Sequence, residues 1–280
     1  MKQKEDAVVI SQECIAPGVY SMWIKTDKIA EETVAGQFIS VYCKEGSRIL
    51  PRPISICEVK KEEKSLRIVY RIAGKGTEEF STYTEGTSIS ILGPLGNGFF
   101  KREKSAMLIA GGIGVPPMVE LAKELKKQGV TEIISVIGYR DGNLFLKEEL
   151  EKYSQVYVAT EDGSAGVKGN VMNAIREYGL KADVIYSCGP KPMLRAVKEF
   201  GLSHEIETQI SLEEKMACGI GACLGCVCHS KDIDEHSNVR NKRICKDGPV
   251  FRAEEVELLT PDEQRERIAS GIMIKKEEQA

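Results

Sequence analysis

The chain has 280 residues, of which 42% are hydrophobic and 29% are charged, as expected for a globular protein with two domains and a small module. Its net charge of −3 gives no electrostatic basis for binding nucleic acid or an acidic membrane surface. The sequence has no secretion signal at its start, no apolar run of about 18 residues, and nine cysteines, a combination that predicts a cytoplasmic protein with free thiols.

Residues 8–92 contain short apolar runs separated by turn residues. Six candidate strands lie at residues 7–10, 19–24, 37–43, 53–59, 66–72 and 87–92. Strands at this spacing predict an antiparallel barrel or sandwich rather than βαβ units.

The pattern changes after the polar segment 101–105. Apolar runs at 106–110, 132–138, 156–160, 183–187 and 205–210 alternate with helical stretches at 118–127, 144–152, 171–178 and 192–200. Such alternation predicts a parallel sheet with helices on both faces. The final residues, 256–280, are rich in charge and are predicted to be helical or partly disordered.

The fourth candidate strand begins with a motif suited to a flavin dinucleotide, L-P-R-P-I-S-I at residues 50–56. Arg52 can offer its guanidinium to a pyrophosphate, and Ser55 can offer a hydroxyl to the edge of a flavin ring. Pro51 and Pro53 remove backbone donors, which suits a strand edge that faces a ligand. The alternative is an ordinary edge strand with one surface arginine.

A second candidate site follows the fifth strand, where residues 69–77 read V-Y-R-I-A-G-K-G-T. The amides around Gly74 and Gly76 can form an anion-binding nest beside the Thr77 hydroxyl. A hairpin turn that uses the glycines for positive φ angles is the alternative. A further glycine-rich turn at residues 93–98 is interpreted as structural and closes the barrel.

A dinucleotide-binding turn is predicted between the 106–110 strand and the following helix. Gly112 and Gly114 belong to a G-x-G-x-x-P pattern that lets a pyrophosphate approach the backbone at a helix start. Cys188, Gly189 and Pro190 end another strand of the sheet. Because open parallel sheets bind ligands at the carboxyl ends of their strands, Cys188 is expected beside a nicotinamide. The alternative is a buried structural cysteine.

Four cysteines lie within eleven residues, and a fifth follows after a polar insert. Cys218, Cys223 and Cys226 have the spacing C-x4-C-x2-C of plant-type [2Fe–2S] loops, which take their fourth ligand from a remote cysteine. Cys228 and Cys245 compete for that position. A structural zinc site, disulfides or free thiols are the alternatives to a cluster.

Taken together, the motifs resemble the ferredoxin–NADP⁺ reductase superfamily over about residues 5–212. Three stretches narrow the resemblance to the electron-transfer subunits of class 1B dihydroorotate dehydrogenases: R-P-I-S-I at 52–56, M-A-C-G-I-G-A-C-L-G-C at 216–226, and C-K-D-G-P-V-F at 245–251. The resemblance implies an FAD-binding barrel at 1–102, an NAD-binding domain at 103–212, a [2Fe–2S] domain at 213–255 and a charged tail at 256–280.

The resemblance also assigns residues. FAD contacts are expected from Arg52, Pro53, Ile54, Ser55, Tyr70, Arg71, Ile72, Gly76 and Thr77. Ile54 stands where the superfamily pattern has tyrosine, so the near face of the flavin ring would be apolar. The family's final motif favours Cys245 over Cys228, which gives Cys218, Cys223, Cys226 and Cys245 as cluster ligands. No residue of the chain is assigned a catalytic role.

The implied function is electron transfer in pyrimidine biosynthesis. Electrons from an FMN-containing catalytic subunit would pass through the [2Fe–2S] cluster and FAD to the co-substrate NAD⁺, in a heterotetramer of two chains of each kind. The chain would not itself oxidise dihydroorotate, because that reaction needs a (β/α)8 barrel of about 250 residues. The alternative is the flavoprotein subunit of another NAD(P)H-linked complex, such as a ferredoxin–NADP reductase, sulfide dehydrogenase or hydrogenase. Arg140 favours NADP, because an arginine can bind the 2′-phosphate, whereas Asp141 favours NAD, because a carboxylate can bind the free 2′-hydroxyl. The sequence therefore does not decide between the two nucleotides.

Overall fold

The structure, a computed structural model, describes residues 2–234, 238–260, 262, 263 and 265. Six strands form a closed antiparallel barrel in the order β1-β2-β5-β4-β3-β6. They are β1 Gln3–Ala16, β2 Val19–Lys25, β3 Phe38–Val41, β4 Arg52–Lys60, β5 Ser65–Arg71 and β6 Ser88–Leu95, with the short helices α1 Ile29–Glu32 and α2 Lys75–Phe80 between them. The predicted antiparallel barrel is confirmed.

Alternate side chains of β5 pack into two different hydrophobic cores. Leu66, Ile68 and Tyr70 pack into the barrel interior, whereas Val69 faces outward into a second core. Cys57 of β4 joins Val69 in that outer core, which also contains the side chains of the following domain. One face of the barrel is therefore covered by protein.

The second domain is the predicted parallel sheet. Its strands are β7 Ala106–Gly111, β8 Ile133–Tyr139, β9 Gln155–Thr160, β10 Val167–Lys168, β11 Val184–Cys188 and β12 Glu207–Ser211, in the order β10-β9-β8-β7-β11-β12. The helices are α3 Pro116–Lys127, α4 Lys147–Leu150, α5 Val171–Glu177 and α6 Lys191–Ser203. The strand order reverses between β7 and β11, the position where open α/β sheets bind ligands.

Two helices of this domain differ in length from the sequence prediction by more than two residues. The helix predicted at 144–152 is only Lys147–Leu150, and the helix predicted at 192–200 extends to Ser203. His204 directly follows α6, with its Nδ1 2.8 Å from the Phe200 carbonyl oxygen, and the strand predicted at 205–210 is β12 Glu207–Ser211. The chain leaves the helix through Glu205, whose φ of 56° is left-handed.

The cysteine-rich module consists of β13 Val227–Asp234, β14 Val239–Arg243, the single turn α7 Ile244–Asp247 and β15 Val250–Arg252. Strands β13 and β14 form a hairpin, while β15 pairs antiparallel with β12 and becomes the edge strand of the parallel sheet. The module predicted at 213–255 therefore shares a sheet with the segment predicted at 103–212.

The glycine-rich turn after β6 fastens this module to the barrel. Asn97 donates from its backbone N–H to the Gly248 oxygen at 2.7 Å, and from Nδ2 to the Asp247 and Val250 oxygens at 3.2 and 3.0 Å. Its Oδ1 accepts from the Val250 N–H at 3.1 Å. Gly96 (φ +72°) allows this approach, because a Cβ there would lie 2.4 Å from Pro249 Cδ.

A buried polar interface joins the barrel to α3 and α4. Glu120 of α3 is 5% exposed and accepts from the Val59 N–H at 2.8 Å. Arg67 of β5 is 6% exposed and forms an ion pair with Glu149 at 2.6 Å. Because buried charges of this kind are tolerated only with partners in place, these contacts fix how the two domains meet.

The first residues after the module pack on α6. Arg195 Nε donates to the Leu258 oxygen at 2.9 Å, and Lys198 Nζ donates to the Val256 oxygen. Apart from 256–260, 262, 263 and 265, the predicted charged tail lies outside the described residues. In the part of the chain that the structure describes, every helix is too short or too polar to cross a bilayer.

Asn97→Ala should destabilise the protein, because three side-chain hydrogen bonds to the module are lost. We expect the free energy of unfolding in a urea titration to fall by about 2–4 kcal/mol. Asn143→Ala is the matched control, since the exposed Asn143 side chain bonds to its near neighbour Asp141, and its free energy of unfolding should stay within about 0.5 kcal/mol of the parent value. Equal unfolding midpoints for the two variants would contradict the role of Asn97.

Candidate functional site

The R-P-I-S strand and the G-K-G-T turn come together at one end of the barrel. Arg52 at the start of β4 lies so close to Gly76 that a Cβ there would be 2.3 Å from Arg52 Nε. The Thr77 hydroxyl accepts from the Ala73 N–H at 2.9 Å and donates to the Gly74 oxygen at 3.0 Å, which fixes the turn. The turn begins α2 rather than forming a hairpin loop. A guanidinium packed on a glycine turn is a cradle suited to a pyrophosphate.

The other residues predicted to contact flavin fall into two groups. Pro53, Ile54 and Ser55 are half-buried along β4, and Ile54 packs against the barrel interior. The Tyr70 side chain is 1% exposed, and its hydroxyl donates to Gln12 Oε1 at 2.7 Å. The Tyr70 side chain is therefore part of the barrel core.

Arg71 and Ile72 are exposed at the end of β5. Arg71 reaches towards the parallel-sheet domain, where its Nη2 lies 3.6 Å from the Cβ position of Gly112. The barrel motif and the dinucleotide turn are therefore neighbours across the interface between the domains.

The turn between β7 and α3 is closely packed backbone. Gly112 has a φ of +52°, and a Cβ on Gly114 would lie 2.3 Å from the Cys188 carbonyl oxygen. Gly189 likewise has its Cβ position 3.0 Å from the Gly111 nitrogen. The ends of β7 and β11 therefore meet where the strand order reverses, with Pro116 and Pro117 in the first turn of α3.

Cys188 is partly buried at this meeting point, and Pro190 is exposed beside it. Burial raises the pKa of the Cys188 thiol to about 12. The thiol is therefore neutral at physiological pH, an uncharged group beside the proposed nicotinamide position.

The cysteine loop holds three of the predicted cluster ligands, and the turn α7 holds the fourth. The Ala222 N–H donates to Cys218 Sγ at 3.3 Å, and the Cys245 N–H donates to Cys226 Sγ at 3.4 Å. The Cys218 thiol also interacts with the Cys223 thiol, and the Cys226 thiol with the Cys245 thiol. The four predicted ligand side chains thus lie together.

Ionisation of these thiols is favoured at two positions. Burial opposes ionisation of Cys218, but backbone N–H groups and the Cys223 thiol outweigh it and lower its pKa to about 6. The Cys245 thiol, together with the Cys245 N–H, lowers the pKa of Cys226 to about 6, while the same contact and burial raise the pKa of Cys245. Backbone donors directed at thiolate sulfurs are the surroundings that a metal cluster requires.

Cys228 is separated from this group. It lies on β13, and its Sγ donates to the Lys242 oxygen at 3.5 Å. Burial raises the pKa of its thiol to about 12. In the described part of the chain, no three His, Cys, Asp or Glu side chains converge as ligands of a single metal ion. The four thiols interact in two pairs, Cys218 with Cys223 and Cys226 with Cys245, an arrangement that suits a [2Fe–2S] cluster, in which each iron takes two thiolates.

Two residues that hold the site were missed by the sequence analysis, Asn97 and Arg243. Arg243 is 5% exposed and lies two residues before Cys245. Its backbone N–H donates to Asp247 Oδ2 at 2.8 Å, and its Nη1 donates to the Gly221 oxygen at 3.2 Å. A charged residue next to a predicted ligand cysteine was the available signal.

Comparison with known proteins identifies the family. The iron-sulfur cluster binding domain of dihydroorotate dehydrogenase B matches residues 213–257, and the oxidoreductase NAD-binding domain matches residues 108–199. The electron transfer subunit of dihydroorotate dehydrogenase B (NAD(+)) of Bacillus cereus strain G9842 is 42% identical over 265 residues, covering 92% of this chain and all of the relative. The chain belongs to the family of dihydroorotate dehydrogenase B electron transfer subunits. The resemblance drawn from the motifs is confirmed.

Solved structures agree with this family. A chain of the NADH-dependent reduced ferredoxin–NADP oxidoreductase has a TM-score of 0.82 and 29% identity, covering 95% of this chain and 94% of its own. The ferredoxin NADP⁺ reductase of Neisseria gonorrhoeae, with bound FAD and NADP, has a TM-score of 0.61 at 16% identity over 71% of this chain and 91% of its own. The second likeness shows the shared fold alone.

Serine substitutions test the fourth cluster ligand. Cys245→Ser should remove or strongly destabilise the cluster, because it deletes a thiolate from the four-thiol group. Cys228→Ser is the matched control and should keep about two irons per chain, since its sulfur bonds to a backbone oxygen instead. Iron analysis and the visible spectrum report the outcome, and a cluster that survives only in Cys245→Ser would reverse the assignment.

Proposed function

We propose that this electron transfer subunit carries one FAD and one [2Fe–2S] cluster and passes electrons to NAD⁺ as co-substrate. FAD would be held by Arg52 to Ser55, by the backbone of Tyr70 to Ile72, and by Gly76 and Thr77. The cluster would be held by Cys218, Cys223, Cys226 and Cys245. The domain ranges would be 1–102 for FAD, 103–212 for NAD and 213–255 for the cluster.

The position of the cysteine loop on the barrel is the observation that carries the proposal. The Cβ position of Gly219 lies 3.0 Å from Ser40 Oγ and 3.4 Å from Leu95 Cδ1. Ser40 of β3 pairs directly with Pro53 of β4. The loop next to Cys218 is therefore one strand away from the R-P-I-S motif, which supports a cluster bound close to the flavin.

The turn between β7 and α3, in the parallel-sheet domain, is the proposed binding site for NAD. Gly114 and Gly189 let the ends of β7 and β11 approach each other where side chains would collide with protein atoms, Gly112 has a φ of +52°, and Cys188 lies at the end of the adjacent strand. When bound, FAD exchanges electrons with NAD in pairs and with an iron–sulfur cluster singly. The contribution of this chain is to bind and position the three groups.

We propose that the electrons come from an FMN-containing catalytic subunit that oxidises dihydroorotate, in an assembly of two chains of each kind. The names of the relatives support this partner and support NAD as the nucleotide. All nine cysteines are among the described residues and are free thiols, which supports a reducing compartment such as the cytoplasm.

The second candidate is the flavoprotein subunit of another NAD(P)H-linked complex. The likeness to the NADH-dependent reduced ferredoxin–NADP oxidoreductase over almost the whole chain favours this alternative. The two functions need the same three groups and differ in the partner, so an assay with the partner separates them.

Protein purified without oxygen should contain about one FAD and about two irons per chain. The expectation follows from the cradle at Gly76 and from the four clustered thiols. Flavin extraction and metal analysis measure it. Zinc in place of iron, or no flavin binding after reconstitution, would contradict the proposed cofactors.

The isolated chain should reduce artificial electron acceptors with NADH but should not oxidise dihydroorotate. Addition of the FMN subunit should produce dihydroorotate-dependent reduction of NAD⁺, because electrons can then pass from dihydroorotate through both chains to NAD⁺. Steady-state assays with each subunit alone are the controls. Dihydroorotate oxidation by the isolated chain would refute the division of labour, and activity only with ferredoxin would favour the alternative.

A further inference from the structure

Arg243 is a buried cation whose three guanidinium nitrogens all have partners. Nε lies 3.3 Å from Asp247 Oδ2, and Nη2 lies 3.2 Å from Asp234 Oδ1. These two carboxylates orient the guanidinium so that Nη1 faces the cysteine loop. There Nη1 donates to the carbonyl oxygen of Gly221 at 3.2 Å.

The Gly221 carbonyl and the Ala222 N–H belong to one peptide unit. This peptide is trans, so its C=O and N–H point in opposite directions. The carbonyl accepts from Arg243, and on the other side the N–H donates to Cys218 Sγ at 3.3 Å. A single peptide unit therefore connects the buried arginine to a sulfur of the proposed cluster site.

The backbone of Gly221 maintains this orientation. Its φ is +90°, in the left-handed region that favours glycine. A Cβ at this position would also lie 2.8 Å from the Lys246 side chain. The sequence thus provides both the turn that presents the peptide and the arginine that bonds to it.

We propose that Arg243 is a positioning residue that acts through the Gly221–Ala222 peptide to raise the reduction potential of the cluster. The inference rests on the proposed function, because it requires a cluster bound through Cys218. One-electron reduction adds one negative charge at the four-thiolate site, without making or breaking a bond and without a proton. A donor directed at a ligand sulfur stabilises that added charge, and a hydrogen bond to the carbonyl of the same peptide strengthens the donor.

The long-range charge of Arg243 does not account for this effect. Asp234 and Asp247 both lie against the guanidinium and offset its charge. Lys242, the neighbouring residue on β14, also lies between two carboxylates, with Asp232 at 3.5 Å and Glu255 at 3.4 Å from Nζ, but it is nearer to solvent. Lys242→Gln and Arg243→Gln therefore remove equal charges from adjacent positions, each next to two carboxylates. Only the second breaks the bond to Gly221.

The test is an anaerobic redox titration of the full chain, loaded with FAD and cluster, with dithionite as the electron donor and soluble mediators. The reduced cluster is followed by electron paramagnetic resonance, and the FAD couple in the same sample is an internal reference. In Arg243→Gln we expect the equilibrium constant for cluster reduction to fall about tenfold, equivalent to ~59 mV for a one-electron couple. Lys242→Gln should change it by less than about twofold, and the FAD couple should not move in either variant.

An unchanged cluster potential in Arg243→Gln, or equal shifts in the two glutamine variants, would overturn the proposal. If Arg243→Gln loses its iron, Arg243→Lys decides, because it keeps the positive charge but has one nitrogen in place of the three that bond to Asp247, Asp234 and Gly221, so that the bond to Gly221 is lost. A potential below that of Lys242→Gln supports the proposal, and a wild-type potential overturns it. Iron loss from both Arg243 variants, with FAD retained, would show that Arg243 serves only the fold and would also overturn it. A wild-type chain without a two-iron cluster would instead refute the proposed function before any variant is compared.

Discussion

The position of the cysteine-rich module depends on contacts that hold the segment after Cys245 from two sides. Asn97 of the barrel bonds to the segment at Asp247, Gly248 and Val250, while β15 pairs with β12 of the parallel sheet. A small module with one hairpin, a single helical turn and a three-residue edge strand has little core of its own. Its position is therefore set by the barrel and the sheet together. These contacts add to the packing of the cysteine loop on Ser40 and Leu95 of the barrel.

The same constraint explains why the three proposed sites are close to one another. The cysteine loop packs on β3, β3 pairs with β4, and Arg71 at the end of β5 reaches the Gly112 turn. The Arg67–Glu149 ion pair and the Glu120 carboxylate fix the interface between barrel and sheet. Electron transfer needs proximity and constant geometry more than it needs acid–base groups, which agrees with a chain in which no residue was assigned a catalytic role.

The fold was largely predictable because its signals are local. Alternating apolar residues identified the barrel strands, and β2 differs from its predicted range by one residue, ending at Lys25. The long strand β1 was predicted only as 7–10, because polar residues and two register shifts interrupt its alternation. The burial of Tyr70 could have been predicted from period-two alternation with Leu66 and Ile68.

The motifs of the site could be predicted from the sequence, but the residues that hold those motifs in place could not. Spacing and resemblance gave Cys245 as the fourth ligand, and the structure brings it to Cys226 while Cys228 lies against the Lys242 oxygen. Asn97 bonds to a segment 150 residues away in sequence, so no local pattern could identify its role. Arg243 contacts Gly221 across 22 residues, and only the folded loop shows which peptide it addresses.

Rapid mixing of the oxidised chain with NADH, without oxygen, tests most directly whether one chain connects the nucleotide, the flavin and the cluster. Flavin bleaching and cluster reduction are followed together at several protein concentrations. The account predicts that cluster reduction follows flavin reduction at a rate that does not depend on protein concentration, because both groups lie in one chain. A rate proportional to protein concentration, or a reducible cluster that stays oxidised after the flavin is reduced, would contradict it.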